Sequence, residues 1–188
     1  MTDKPTRERI VEEADDLFYR QGYEKTSFSD IADAVGITRG NFYYHFKTKD
    51  EILNAVIQVR LGNTAKMLEN WEADGELPED RIRSFIRILI TNQAKILDYG
   101  CPVGTLCSEL AKLNHPSQDE ASKIFSLFRV WLGQQFQLLG RKKDADELAM
   151  HLLARSQGVA TLANAFHDKA FVRKEVDLMC DWLNEYVK

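Results

Sequence analysis

Between Thr38 and Lys49 the chain reads Thr-Arg-Gly-Asn-Phe-Tyr-Tyr-His-Phe-Lys-Thr-Lys, a run unusually dense in side chains that donate and accept hydrogen bonds. Arg39 can set a forked pair of donors on a guanine edge and Asn41 a donor and an acceptor on an adenine edge, so these two are the candidates for reading bases in a major groove. Gly40 between them has no side chain to hold the backbone off a duplex. Tyr43 and Tyr44 offer hydroxyls and flat rings, His45 a ring donor, and Lys47 and Lys49 positive charge suited to phosphate. Thr38, and upstream Thr26 and Ser27, add hydroxyls for contacts to a nucleic-acid backbone. Two adjacent tyrosines followed by a histidine are too polar and too bulky to be all core in so short a segment.

The flanking residues supply the elements that would hold this run in place. Ser27 has the chemistry of an N-cap and Asp30 that of the third helical position, so a short helix is expected from there, with Ile31, Ala32 and Val35 on one face. Gly36 suits the left-handed residue that ends it, and Thr38 caps the next helix. Phe42 and Phe46, four apart, form the apolar side of that second helix and leave its other residues outward. Upstream, Ile10, Ala14, Leu17 and Phe18 make the stripe of a preceding amphipathic helix. The pattern is a helix-turn-helix with a covering helix.

On these residues the run from Arg7 to Leu53 resembles the N-terminal domain of the TetR family of bacterial one-component transcriptional regulators, matching at Phe18, Gly22, Thr26, Ile31, Ala32, Gly36, Tyr43, His45, Phe46, Lys49 and Leu53. The resemblance covers about a quarter of the chain, and the rest fits the family in length and all-helical character. It implies a cytoplasmic repressor that binds a palindromic DNA operator as a homodimer and lets go when a small-molecule effector enters the C-terminal domain. No cofactor and no metal are implied.

Composition agrees with a local rather than a general affinity for nucleic acid. The net charge is −4 and the pI about 5.6, and residues 1–50 carry 8 Lys or Arg against 10 Asp or Glu. The acids gather at Glu8, Glu12, Glu13, Asp15 and Asp16, whereas Ile37 to Lys49 contains none, so the positive field is confined to the reading segment. Three cysteines without paired spacing suggest a reducing cytoplasm. The start Met-Thr-Asp-Lys-Pro is polar and no apolar stretch approaches the ~20 residues of a bilayer crossing, so no membrane partner is expected.

The periodicity predicts an all-α protein of about nine helices, with a three-helix DNA-binding domain over 1–47 and a helical effector-binding and dimerisation domain over 48–188. Thr48 to Glu51 is a capping box opening a long helix; Ile82 to about Asp98 is a further one, and Ser117 can cap another. An effector site between helices is expected to draw on Phe85, Leu89, Gln93, Tyr99, Cys101, Leu110, Phe128, Trp131 and Gln135, with Glu109 and Arg129 as polar anchors. The last two helices carry small or apolar residues, Ser156, Ala160 and Ala163 on one and Val172, Val176, Met179 and Leu183 on the other. Such a pair can bury itself within one chain or pack against its twin as a four-helix interface; the resemblance implies the twin, and a palindrome needs two reading helices.

Gly100-Cys101-Pro102 is the one unusual motif of this half. Pro102 suits a first helical position, which puts Cys101 at the N-cap where free amides favour a thiolate. The segment is similar to the Gly-Cys-x-x-x-x-Leu stretch of a TetR subgroup that includes electrophile- and oxidant-sensing repressors such as NemR, so Cys101 is either a sensor or a small residue at a tight turn. An enzyme with Cys101 as nucleophile and His115 or His151 as base lacks any supporting phosphate loop, metal-ligand spacing or catalytic triad pattern.

Overall fold

In a computed structural model describing residues 4–187, the chain forms ten helices and, among the described residues, no strand. They are α1 (Thr6–Gln21), α2 (Phe28–Val35), α3 (Arg39–His45), α4 (Lys49–Asp74), α5 (Pro78–Thr91), α6 (Gln93–Tyr99), α7 (Pro102–Lys112), α8 (Gln118–Leu138), α9 (Ala145–Phe166) and α10 (Lys169–Asn184). The polar start Met1-Thr2-Asp3 lies outside the described residues. The helix expected from Ile82 to Asp98 is in fact two, α5 and α6, because Asn92 leaves the helical region at φ −100°, ψ 12° while its N–H still reaches the Ile88 carbonyl.

The chain divides into two compact units. One holds the described residues up to Gly62 together with Thr105–Lys123, and the other holds Asn63–Gly104 together with those from Ile124 on. This differs from a boundary at residue 47, because the first half of α4 and most of α7 pack into the same core as α1 to α3. That core contains Ile10, Ala14, Phe18, Ile31, Val35, Phe42 and Phe46, joined by Ile52, Leu53, Val56 and Ile57 of α4 and Leu106 and Leu110 of α7. Each large side chain buried there contributes about 1.5–3 kcal/mol.

Local signals explain the short helices. Ser27 accepts the Asp30 N–H while Asp30 accepts the Ser27 N–H, a complete capping box whose backbone hydrogen bond holds the Asp30 carboxyl below its ordinary pKa. Gly36 ends α2 in the left-handed conformation (φ 73°), its N–H bonded to the Ala32 and Asp33 carbonyls, and Arg9 of α1 donates to the Val35 carbonyl at 2.6 Å. Thr38 then caps α3 through the Asn41 N–H. At α4 the Glu51 N–H bonds the Thr48 hydroxyl as expected, but the Glu51 carboxylate reaches past Thr48 to the Lys47 N–H. Ser117 does not cap α8 with its side chain: its hydroxyl donates to Asn54 of α4 at 2.8 Å.

In the second unit α5 packs on α10 and α6 on α9. Its interior holds Ile82, Phe85, Ile86, Leu89, Ile124, Phe128, Leu132, Phe136, Leu152, Val159 and Met179. Among the described residues no helix is long and apolar enough to cross a membrane.

Candidate nucleic-acid interface and internal cavity

The outward face of α3 is built by burying its other side. Phe42 is 1% exposed and sits edge-on against Phe28 of α2 at 5.2 Å, and Phe46 is equally buried beneath the Arg7 guanidinium. With those two rings anchored, Thr38, Arg39, Gly40, Asn41, Tyr43, Tyr44 and Lys47 face solvent and His45 is half-buried. Tyr44 is 80% exposed, costly for an aromatic ring without a partner surface, and its ring meets only the His45 edge at 5.2 Å among the described ring contacts. The Arg39 guanidinium donates to the Ser29 hydroxyl at 2.9 Å, which pins its stem while other donors of the fork face outward. Tyr43 leans on Phe28 and Phe42, and the Lys47 ammonium folds back onto the Tyr43 carbonyl at the end of the helix.

Two residues expected at this surface are employed inside the unit. Thr26 is 1% exposed; its hydroxyl donates to the Gly22 carbonyl at 2.6 Å and accepts from Gln21, so its side chain is closed to a ligand. Lys49 points inward, its ammonium donating to the carbonyls of Tyr23, Glu24 and Thr26 at 2.9, 3.2 and 3.1 Å and lying 4.3 Å over the Tyr23 ring. It neutralises the carbonyls of the α1–α2 loop. Glu109 of α7, expected as an effector anchor, holds the same loop from its amide side, accepting the Tyr23 and Glu24 N–H groups at 2.9 and 3.0 Å. Gly22 (φ 94°) makes this possible, since a Cβ there would stand 2.9 Å from the Glu109 carboxylate. Tyr23 completes the cluster: its hydroxyl donates to Asp50 at 2.5 Å and its ring meets the His115 edge. Burial and that bond push the Tyr23 phenol well above its ordinary pKa.

Within the second unit a cavity of about 80 Å³ opens among α5, α6, α7, α8 and α9. Of the expected lining, Phe85, Leu89, Cys101 and Phe128 are there; Ile88, Asn92, Ile96, Pro102, Val103, Phe125, Leu153, Ser156, Gln157 and Ala160 complete it. The others are placed elsewhere. Leu110 is core of the first unit, Gln93 donates to the Lys169 carbonyl, Tyr99 is half-buried outside the lining, and Arg129 makes a two-pronged pair with Asp146 at the surface. Trp131 packs on Trp71, and Gln135 is buried between Arg81 and Glu72. Cys101 precedes the first residue of α7 and its sulfur accepts the Gly104 N–H at 3.4 Å.

The residues expected to join two chains are interior to one. Ser156, Ala160, Ala163, Val172, Val176, Met179 and Leu183 are all buried, most at 1% exposure or less, because α9 and α10 turn their small and apolar faces onto each other and onto α5 and α6. What α9 leaves outward is a different stripe at four-residue spacing, Met150, Ala154, Gly158, Leu162 and Phe166, with Phe166 73% exposed. Leu178 of α10 is exposed as well. Small residues gave the signal; only burial told which face was free.

Residues 10–56 match the model of the bacterial regulatory proteins, tetR family. Over 182 residues, 93% of this chain and 91% of the relative, the chain is 29% identical to an uncharacterized HTH-type transcriptional regulator in the lacX 3′ region of Lactococcus lactis. It is 27% identical to the HTH-type transcriptional repressor DhaR of a Mycobacterium, over 84% of this chain and 82% of that one. A TetR transcriptional regulator from Legionella pneumophila superposes over the whole of both chains with a TM-score of 0.84 at 25% identity. With a capped helix-turn-helix that matches this model and similar regulators spanning nearly its full length, the chain carries over residues 10–56 the domain of the bacterial regulatory proteins of the tetR family.

Proposed function

We propose that the protein is a repressor that grips a palindromic operator as a homodimer through α3 and is released by a small molecule bound in the second unit. The observation that carries this reading is the solvent face of α3, where Arg39, Asn41 and Tyr44 stand outward on a helix held by buried Phe42 and Phe46 with no acid between Ile37 and Lys49. Arg39 and Asn41 read base edges; Ser27, Thr38, Gly40, Tyr43, His45 and Lys47 line the phosphate backbone. The outward stripe of α9, with Leu178, packs against its copy, since a palindrome needs two reading helices one duplex turn apart. The protein acts by binding rather than catalysis, in the cytoplasm.

Release follows from linkage: a ligand that prefers the state unable to span two major grooves weakens DNA binding by that preference. Helix α7 is the proposed carrier. Its first turn supplies Pro102 and Val103 to the cavity, and Glu109, two turns on, holds the Tyr23–Glu24 amides of the loop that leads into α2. A second reading is favoured by the place of Cys101 in the cavity wall: its thiol adds across the activated double bond of an electrophile, forming a sulfur–carbon bond while the proton passes to the neighbouring carbon.

The test of the main reading is fluorescence anisotropy against an operator selected from genomic fragments and against a scrambled duplex. Asn41→Ala should lose about 1–3 kcal/mol per half-site on the selected site and nothing on the scrambled one. Equal loss on both duplexes, or none on either, refutes α3 as the base reader.

A further inference from the structure

We infer that the cavity of the second unit takes a small, uncharged, mostly apolar molecule carrying one carbonyl or hydroxyl oxygen, and that the Gln157 amide is the group that reads this oxygen. This deepens the effector reading and rests on it. None of the fourteen lining residues is a Lys, Arg, His, Asp or Glu. A carboxylate or ammonium entering there would lose its hydration without meeting a counter-charge, so the cavity disfavours ions. The walls are otherwise phenyl rings and aliphatic chains from Phe85, Ile88, Leu89, Phe125, Phe128 and Leu153.

The polar side chains that remain are few and are distinguished by whether they are already satisfied or stand at the surface. The Ser156 hydroxyl is spent on the Leu153 carbonyl at 2.7 Å, the Cys101 sulfur accepts the Gly104 N–H, and Asn92, between α5 and α6, is exposed to solvent. Gln157 lines the cavity, yet its side-chain amide makes no hydrogen bond among the described residues. Its end presses on α7 at Gly104, where a Cβ would stand 2.5 Å from the amide oxygen, so the residue at 104 must be this small for the amide to lie where it does. The side chain is half-buried, so this amide keeps donor and acceptor capacity that a ligand oxygen in the cavity can take up. Size follows from volume. An apolar cavity of about 150 Å³ admits benzene, so about 80 Å³ as it stands suits a body of roughly three to five heavy atoms.

The experiment uses the full chain without DNA and follows the methyl resonances of Ile88 and Val103 during titration with 2-butanone, 1-butanol, butyrate and butylammonium. The two neutral probes should shift both methyls saturably, and the two ions should leave them in place. Gln157→Leu should weaken 2-butanone roughly 3- to 10-fold, the loss of one neutral hydrogen bond, and leave its hydrocarbon isostere 2-methyl-1-butene bound as before or tighter. Butyrate binding as tightly as 2-butanone, or Gln157→Leu weakening ketone and alkene equally, overturns the assignment. So does the absence of any shift up to the solubility limit of the neutral probes. A second variant, Gln157→Glu, keeps the shape of the side chain and should also weaken 2-butanone, guarding against a leucine-specific packing fault. Operator anisotropy with the same probes separates the two ideas: methyl shifts without DNA release refute the effector reading alone, and release without methyl shifts refutes the ligand class alone.

Discussion

Replacing Lys49 by methionine separates a structural lysine from a phosphate ligand. The ammonium donates to three carbonyls at 2.9, 3.1 and 3.2 Å and stacks on Tyr23 at 4.3 Å, and methionine keeps an apolar stem over that ring while deleting the charge. A hydrogen bond from a charged donor is worth about 1.5–3 kcal/mol. Three on one half-exposed ammonium share a single desolvation cost and are partly screened, so the total loss is about 2–4 kcal/mol. For a chain this long that lowers Tm by on the order of 10 °C. The assay pairs urea unfolding with operator affinity measured across salt concentrations. Deleting a phosphate contact would flatten the slope of log K on log salt by about 0.9 for each protomer. The structure instead requires a lower urea midpoint with parallel salt plots. An unchanged midpoint and a slope flatter by about two in the dimer would refute the inward role and return Lys49 to the DNA surface.

Leu162→Glu, on the outward stripe of α9, should give a folded monomer by circular dichroism and analytical ultracentrifugation, whereas Met179→Glu, fully buried, should unfold the second unit. The Tyr23 phenol ionises less readily folded than unfolded, so its contribution is complete below about pH 10 and is lost as the pH rises further. The gap in urea midpoint between wild type and Tyr23→Phe should therefore shrink from pH 9 to 11, and a constant gap would contradict this. Cys101→Ser should keep operator affinity and resist release by N-ethylmaleimide, while Cys107→Ser and Cys180→Ser respond as wild type; equal release of all variants leaves Cys101 as packing.

The helix-turn-helix is legible in the sequence because its signals are local. Ser27 with Asp30, Gly36, Thr38 and the Phe42–Phe46 pair each act within a turn or two of chain, and cap chemistry and helical period carry them directly into structure. Helix count nearly followed, missing only the break at Asn92, where no glycine or proline marks the departure.

What tertiary structure alone decided is which partner each side chain meets. Lys49 and Glu109 have the charge of a phosphate ligand and an effector anchor, yet they close on one loop from opposite sides, because residues 49 and 109 lie far from 23–26 in sequence and only packing brings them there. The small-residue pattern of α9 promised a close helix contact without saying to which helix. Burial of Ser156, Ala160 and Ala163 assigned that contact to the chain itself, and left Met150, Leu162 and Phe166 outside. Helical period specifies that a face is apolar; what covers the face depends on contacts between distant segments, which no local window contains.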